Sequence, residues 1–456
     1  MSSINSSKVI LLCSPNLGVL ENWLPVFDQI KELNSNIEIT CLIGKPGAAK
    51  LIDSDSDLIK IAEGYIDEVV FKSFSNKWIK SASFNAAKKA NTIPKKYNWL
   101  IKIEGQVRKY RLQKILITLS KLSYFFINKH YLKLGVDFID IDEYLIHSKF
   151  LLLDMVDMDK GFNSYNKFLN TVFSNMSCFS MHHSTNIGLE LIAKKYKVEP
   201  YALKNPNTLF YLYSKKDLSF YENFYGEEIT QKAIGVPRHN EKWIQKVILN
   251  QDKLDEKYTT KPFLLLISRP SSDFLPIDRK EKALRDIKKF AISENGFNVV
   301  IKYHPKEQDF SLYEEVFGKE QYNKSWFYSK RHPYILAEKC KICVTFYSSL
   351  VCDFIFLNTP VIEYLNLKGI QFHDNENSYK DELNNPVFDY RNFGLTLGAN
   401  NFEDLSRHAS QILADKNLVL NQLIKNYRDV YYWSENSAKE VARDILDKMN
   451  DENSNN

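Results

Sequence analysis

The sequence of 456 residues has no long apolar run. A membrane-spanning helix needs about 20 apolar residues, and the nearest stretch, Leu112–Phe126, is interrupted by Lys114 and Lys121. The segment Met1–Ser7 is polar, and the apolar residues after it lack the basic flank of a secretory signal. We therefore expect a protein that does not span a membrane and that works in the cytoplasm.

Cysteine is scarce, and its six positions do not form a metal-binding pattern. Most of them lie in apolar runs such as Val9–Cys13, where a reduced, buried thiol belongs. Cys340 and Cys343 have the spacing of two zinc ligands, but no second pair accompanies them. The adjacent His182 and His183 likewise lack further ligands at fitting spacing. We expect no metal and no cofactor.

A glycine-rich phosphate loop is also missing, because Gly44–Gly47 has neither the spacing nor the context of one. What the sequence does contain is an alternation of short apolar strands with helical patterns in both halves. That alternation predicts parallel sheets with helical crossovers. Two open, Rossmann-like α/β sheets that face a cleft are the most economical architecture, with ligands at the carboxyl ends of the strands.

The length of the chain requires more than one hydrophobic core. We predict an N-terminal domain over residues 1–240, a linker helix over 241–260 and a C-terminal domain over 261–400. Residues 401–456 are predicted to be helices that pack back across both domains. The clearest predicted elements are a helix near Ile187–Tyr196 and the strands Phe263–Ile267, Asn298–Tyr303, Ile342–Phe346 and Val361–Tyr364.

Positive charge is concentrated in residues 72–133, which hold fifteen Lys and Arg residues and one acid, Glu104. The net charge of this segment is +14, against +5 for the whole chain. Aromatic residues are interspersed, and we predict a helical insertion. Such a segment suits anionic lipid headgroups or a polyanionic acceptor, or it is a solvated helical face. We expect no nucleic-acid partner, since no nucleic-acid motif accompanies the charge.

Three basic residues follow predicted strands of the C-terminal half. Lys302 and His304 stand at the end of Asn298–Tyr303, where Pro305 stops the ladder. Lysine and histidine at a strand end can bind a phosphate, and histidine can also protonate a leaving group. Arg269, after the strand Phe263–Ile267, is a further candidate for a phosphate contact.

Two serines mark a strand–turn–helix sequence. Ser348 and Ser349 precede a helical pattern, where serine is a common cap, and a helix start of this kind also offers donors to a diphosphate. Asp353, one turn later, is predicted to bond a ribose or orient a cation. Glu363, on the following strand, is an alternative ribose ligand.

Two further motifs lie in the N-terminal half. His183, in His183–Thr185, follows a predicted strand and is a candidate base, although a structural role for the histidine pair stays open. Arg238, in Gly235–Asn240, lies just before the predicted linker helix and is a candidate donor contact.

The motifs His183–Thr185, Gly235–Asn240, Lys302–Pro305 and Tyr347–Phe354 occur in this order. Together they make the sequence resemble the CDP-glycerol glycerophosphotransferase family of teichoic acid polymerases. More loosely, it resembles the GT-B transferases of capsule and lipopolysaccharide assembly. The resemblance implies a GT-B-like fold, His183 as the base and His304 at the donor diphosphate. The serine pair and Asp353 would line the same site.

The predicted function is transfer of a sugar or polyol phosphate from a nucleotide-activated donor to a hydroxyl group. The acceptor would be a cell-surface polysaccharide or its lipid-linked form, reached by an enzyme at the inner face of the membrane. Ser184 replaces a glycine of the family, and Phe346 replaces an aspartate, so the transferred group stays open. The alternatives are a nucleotide-sugar 2-epimerase on the same fold and a non-catalytic binding protein.

Overall fold

The structure is a computed structural model. It describes residues 8–13, 18–43, 56–72, 78–91, 136–146, 148–154, 176–182, 184–185, 207–216, 222–223, 230–304, 307 and 309–454. The predicted helix near Ile187–Tyr196 lies outside these ranges.

The backbone divides into two compact units, neither of which is one continuous segment. The first unit draws on Met1–His183, Leu203–Phe210 and Val441–Asn456. The second draws on Ser184–Ala202 and Tyr211–Glu440. The domain limits predicted near residues 240, 260 and 400 stay predictions.

The first sheet has nine strands in the order β5-β4-β3-β2-β1-β6-β7-β8-β9. Strands β3, β2, β1, β6 and β7 are joined by parallel pairings, whereas β4 runs antiparallel to both β3 and β5. The sheet is therefore parallel in its middle and antiparallel at one edge. Its strands are β1 Lys8–Leu12, β2 Glu38–Ile43, β3 Glu68–Lys72, β4 Trp78–Ser81, β5 Asp137–Ile139, β6 Phe150–Asp154, β7 Ser177–Met181, β8 Thr208–Leu212 and β9 Thr230–Ala233.

Within the predicted helical insertion of residues 72–133, Trp78–Ser81 forms strand β4 instead of a helix. Its burial alternates, with Ile79 and Ser81 buried and the other two residues half-buried, which is the period of a strand. A helix follows at Phe84–Asn91. Residues 92–133, which carry most of the positive charge, lie outside the described ranges.

The second sheet has six strands in the order β12-β11-β10-β13-β14-β17, all parallel. This confirms the prediction of an open parallel α/β sheet in the C-terminal half. Its strands are β10 Phe263–Ile267, β11 Asn298–Lys302, β12 Trp326–Ser329, β13 Ile342–Thr345, β14 Val361–Tyr364 and β17 Leu397–Ala399. A small ribbon pairs β15 Tyr379–Lys380 with β16 Pro386–Val387.

Helices alternate with the strands in both units. They are α1 Val19–Leu33, α2 Ser56–Ala62, α3 Phe84–Asn91, α4 Ile141–Ile146, α5 Glu241–Leu249, α6 Glu256–Thr259, α7 Ile277–Lys288, α8 Ser311–Phe317, α9 Pro333–Lys339, α10 Leu350–Phe356, α11 Asp389–Asn392, α12 Phe402–Ala414, α13 Lys416–Val430 and α14 Ser437–Ser454. Pro237–His239 and Lys319–Gln321 form 3₁₀ turns, and Lys289–Glu294 continues α7 as a π-helix. Among the helices of the described ranges, none combines the length and the apolar character needed to cross a bilayer.

The second sheet forms because its central strand is apolar along its whole length. All five residues of β10 are buried, as expected for a strand covered on both faces. Helix α7 packs on this sheet with Ala283, Leu284 and Ile287, whose spacing places them on one helical face. This packing determines where the strands end, and it therefore determines the positions of the residues that follow them.

Candidate functional site

Three neighbouring strands of the second sheet end at the same level. Ile267 of β10 is in register with Lys302 of β11 on one side and with Thr345 of β13 on the other. The last residues of these strands and the residues that follow them therefore lie at one carboxyl edge. They include five predicted site residues: Arg269, Lys302, His304, Ser348 and Ser349.

Arg269 is held beside the turn that follows β13. Its Nη1 donates a hydrogen bond of 3.0 Å to the carbonyl oxygen of Tyr347. The guanidinium also lies 4.8 Å from the ring centre of Phe274 and 5.3 Å from that of Tyr347. A cation is thus fixed next to Ser348 by packing and by a hydrogen bond.

Lys302 and His304 are both half-buried at the end of β11. The Nζ of Lys302 donates to the carbonyl oxygen of Lys330 at 3.3 Å. The carbonyl oxygen of His304 accepts from the backbone N–H of Glu307 at 2.8 Å, so the chain turns directly after the histidine. Pro305 lies outside the described residues.

The serine pair is confirmed as the turn between β13 and α10. Ser348 Oγ accepts from the backbone N–H of Leu350 at 3.3 Å, while the side chain of Ser349, at the cap position, makes no capping hydrogen bond. Helix α10 has only seven residues, so its dipole offers less to an anion than the sequence suggested. Phosphate binding at this edge would depend on the hydroxyls and the nearby cations.

Asp353 lies in a buried network that we call the Asp353 network, formed with Arg238, His239, Tyr334 and Tyr427. Asp353 Oδ1 accepts from Arg238 Nε at 2.6 Å, from Tyr334 OH at 2.8 Å and from His239 Nε2 at 3.1 Å. Its Oδ2 accepts from Arg238 Nη2 at 3.0 Å. Asp353 is fully buried and Arg238 is 1% exposed. The structure therefore brings two predicted site residues into direct contact with each other.

The charges in this network are set by its hydrogen bonds. Burial would raise the pKa of Asp353, but Arg238 and His239 outweigh it and hold that pKa well below its usual range. Burial lowers the pKa of His239 in spite of Asp353, so the imidazole is neutral at neutral pH. Because a carboxylate only accepts, Nε2 carries the proton, and Nδ1 accepts from Tyr427 OH at 2.7 Å.

Glu363 lies within β14 and is 1% exposed. Burial raises its pKa to about 8, Arg391 opposes the rise and Asp389 adds to it. Among the described residues, its Oε2 has no hydrogen-bond partner. On the neighbouring strand, a Cβ at Gly398 would collide with the guanidinium of Arg391, so glycine there allows the cation to approach the sheet closely. A protonated carboxyl is thus buried near this edge.

The predicted base, His183, lies outside the described residues, but its neighbours are described. Thr185, two residues later, is fully buried. Its Oγ1 donates to the carbonyl oxygen of Ser349 at 3.2 Å, and its own carbonyl oxygen accepts from Tyr431 OH. In the second unit, the end of the His183–Thr185 motif therefore contacts the Ser348–Ser349 turn.

Sequence reasoning missed three members of the Asp353 network. His239 had a signal, since it adjoins Arg238 in the quoted motif. Tyr334 and Tyr427 had no such sequence signal, because each occupies an ordinary apolar position of an amphipathic helical pattern. Within the described residues, no group of three His, Cys, Asp or Glu side chains is placed to hold a metal ion.

Comparison with known proteins defines the fold. No protein-family model matches the sequence, and no curated protein matches it. Among solved structures, it is similar to a candidate UDP-N-acetylglucosamine 2-epimerase from Listeria monocytogenes, with a TM-score of 0.54 and 11% identity over 97% of this chain and 95% of the other. It is also similar to MnaA of S. aureus, solved with UDP, with a TM-score of 0.52 and 12% identity over 97% of each chain. These likenesses confirm the predicted GT-B-like α/β fold.

Proposed function

We propose that this protein is an enzyme that binds a nucleotide-activated sugar at the carboxyl edge of the second sheet. The observation that carries the proposal is the convergence of Arg269, Lys302 and His304 with the Ser348–Ser349 turn on neighbouring parallel strands. Ligands of open α/β sheets bind at this edge. Cations and hydroxyls there match the charge and the acceptor oxygens of a diphosphate.

The nucleotide that we propose first is UDP. MnaA was solved with UDP, and the Listeria protein is named for a UDP-sugar reaction. The buried Glu363, whose pKa is raised to about 8, can donate or accept a hydrogen bond at neutral pH, which suits a ribose hydroxyl.

The reaction that we favour is transfer of the sugar to an acceptor hydroxyl. His183 would take the proton of the acceptor hydroxyl as its oxygen bonds to the anomeric carbon. The bond from that carbon to the diphosphate breaks, and its electron pair leaves with the phosphate oxygen. Arg269, Lys302 and His304 would stabilise the charge that develops there. The contact of Thr185 with Ser349 supports a role for the last residue of the His183–Thr185 motif next to the donor.

Epimerisation at the sugar C2 is the second candidate, and the likeness to the Listeria protein favours it. The two reactions differ in what they require. Transfer consumes donor only when an acceptor is present, whereas epimerisation converts the donor alone. Incubation of a UDP-sugar without acceptor, followed by chromatography of the sugar, separates them.

A thermal-shift screen tests the donor site. We expect UDP, and next CDP, CMP and GDP with their sugar or polyol conjugates, to raise the melting temperature. A ligand at 100 times its dissociation constant stabilises the folded state by about 2.7 kcal/mol. If none of these compounds raises the melting temperature and calorimetry finds no binding, the proposed donor site is wrong.

A further inference from the structure

The Asp353 carboxylate is enclosed by donors of the protein itself. It receives four hydrogen bonds, three at Oδ1 from Arg238, His239 and Tyr334 and one at Oδ2 from Arg238. The aspartate is fully buried, and the side chain of Arg238 is 2% exposed. Direct contact of either residue with a donor would first require this ion pair to break.

We propose that Arg238 and Asp353 are positioning residues, which hold the Ser348–Ser349 turn in place without touching the donor. The proposal rests on the proposed function, because it assumes that the turn is part of the donor site. It replaces the donor-contact roles predicted for these two residues from the sequence.

The connection from the network to the turn is short. Asp353 lies one helical turn after Ser349 on α10, and Phe356, nearly one turn further, stacks on His239 at 4.6 Å between ring centres. Helix α10 is therefore fixed at two successive turns to the segment Pro237–His239. Since the serine turn leads directly into α10, its position follows that of the helix.

The network also ties the turn to two other helices. Tyr334 belongs to α9 and Tyr427 to α13. The Tyr334 hydroxyl bonds to Asp353, and the Tyr427 hydroxyl bonds to His239. Both tyrosines are buried, at 4% and 1% exposure. Neither ring is exposed enough to contact a donor. An effect on UDP binding after loss of either hydroxyl would therefore come from a change in the position of the Ser348–Ser349 turn.

Tyr334→Phe and Tyr427→Phe test the proposal, because each removes one hydroxyl and keeps the ring. The matched control is Tyr258→Phe, whose hydroxyl donates to the carbonyl oxygen of Tyr328 at 3.0 Å and which is 6% exposed. Each of the three variants loses one hydrogen bond of a buried tyrosine. Only the first two lose it in the Asp353 network.

Two measurements on the full chain are compared. Amide hydrogen exchange of residues 347–353 should become faster in Tyr334→Phe and Tyr427→Phe and stay unchanged in Tyr258→Phe. The dissociation constant for UDP, by calorimetry, should rise about 3- to 10-fold in the first two variants only.

The outcomes distinguish the positioning role from the proposed function. Exchange at residues 347–353 that matches the wild type in both network variants would overturn the positioning role. If exchange is faster in those variants but the wild type binds no nucleotide, the donor site is rejected and the structural link between the network and the turn still stands.

A paired substitution separates positioning from direct contact. Arg238→Gln and Asp353→Asn each leave a buried partner without its counter-charge, and UDP affinity should fall at least about 10-fold in each variant that folds. In the double variant Arg238→Gln/Asp353→Asn the two introduced amides can bond to each other. The amide oxygen at position 353 can still accept from His239 and Tyr334.

We expect this double variant to bind UDP within about 3-fold of the wild type, since both buried charges are removed together. Binding as weak as in the weaker single variant, without faster exchange at residues 347–353, would assign both residues to direct contact with the donor instead.

Discussion

Two clusters of charged side chains among the described residues can be compared, because they occupy opposite edges of their sheets. In the first unit, Lys8 and Glu68 are the first residues of β1 and β3, and Glu68 pairs with Lys8 at 3.0 Å and with Lys80 at 3.1 Å. In the second unit, Arg269 and Lys302 lie at or beyond the last residues of β10 and β11, and Asp353 lies on α10, the helix that follows β13. The first cluster lies at the amino edge of its sheet and the second at the carboxyl edge.

The two clusters also differ in how far their side chains are exposed to solvent. Glu68 and Lys8 keep 18% and 19% of their side-chain surface exposed, and Tyr144 OH donates to Glu68. The Asp353 carboxylate, close to the carboxyl edge of the second sheet, has no exposed surface. A partly exposed cluster costs little to build, whereas a fully buried ion pair carries a large desolvation penalty. Charge that is buried near a carboxyl edge is therefore the better guide to function.

The largest expected effect is on turnover. His183 comes two residues after the end of β7 in the sequence, and His183→Ala should lower turnover by about 10² to 10⁴, since a general base is lost. The affinity for UDP should stay near that of the wild type. Glu68→Gln, in the same unit but at the amino edge, is the control and should keep full turnover. Equal turnover in the two variants would remove His183 from the chemistry.

The next effect is on stability, and it compares the two clusters directly. Asp353→Ala leaves Arg238 buried without a counter-charge and should cost about 3–5 kcal/mol. Glu68→Ala breaks partly exposed pairs and should cost about 1 kcal/mol or less. Melting temperatures at one pH and one salt concentration measure both. A loss in Glu68→Ala as large as that in Asp353→Ala would contradict the comparison.

Donor affinity should respond to the carboxyl-edge residues that are not fully buried. Ser349→Ala and His304→Ala should each weaken UDP binding by about 10- to 100-fold, because a hydrogen bond to a charged group is worth about 1.5–3 kcal/mol. The melting temperature without ligand should change little, as both side chains lie beyond the strands. Unchanged calorimetric affinity in both variants would reject the donor site.

The dependence of stability on pH should identify Glu363. Its folded pKa of about 8 lies above the value of 4.5 for an unperturbed glutamate. Folding therefore favours the protonated form, so its contribution is full below pH 4.5 and is lost as the pH rises to about 8. Glu363→Gln stays neutral, and its melting temperature relative to the wild type should rise between about pH 5 and pH 8.5. The difference should be on the order of 1 kcal/mol or more, and a constant difference would place the titration elsewhere.

The smallest effect per residue is expected for the basic segment 72–133. Each cation near an anionic bilayer contributes about 1 kcal/mol, so the protein should sediment with anionic liposomes at low salt and dissociate at high salt. Replacement of Lys95, Lys96, Arg108, Lys109 and Arg111 by Gln should abolish sedimentation and leave UDP binding intact. Equal sedimentation with neutral liposomes would reject the electrostatic explanation.

Local patterns predicted most of the second sheet, because its strands are continuous apolar runs. Phe263–Ile267 and Val361–Tyr364 were predicted with the bounds that the structure has. The strand β4 was missed because its alternation is short and lies among cations. The strand-end positions of Lys302 and the serine pair also followed from local sequence. The Asp353 network did not follow from local sequence. Its hydrogen bonds from Arg238 to Asp353 and between His239 and Tyr427 join residues 115 and 188 positions apart, and they depend on tertiary packing.

Those separations also have a consequence for synthesis. His239 precedes its partner Tyr427 by 188 residues, which a ribosome takes roughly 10–40 s to add at about 5–20 residues per second. During that interval Arg238 and His239 exist while their partners are still being made. The hydration that His239 loses on burial cannot be fully replaced before Tyr427 is present, so the segment Pro237–His239 should remain solvated until α13 has emerged. Nascent chains halted before Tyr427 should accordingly be cut by protease near Arg238, and longer ones should resist.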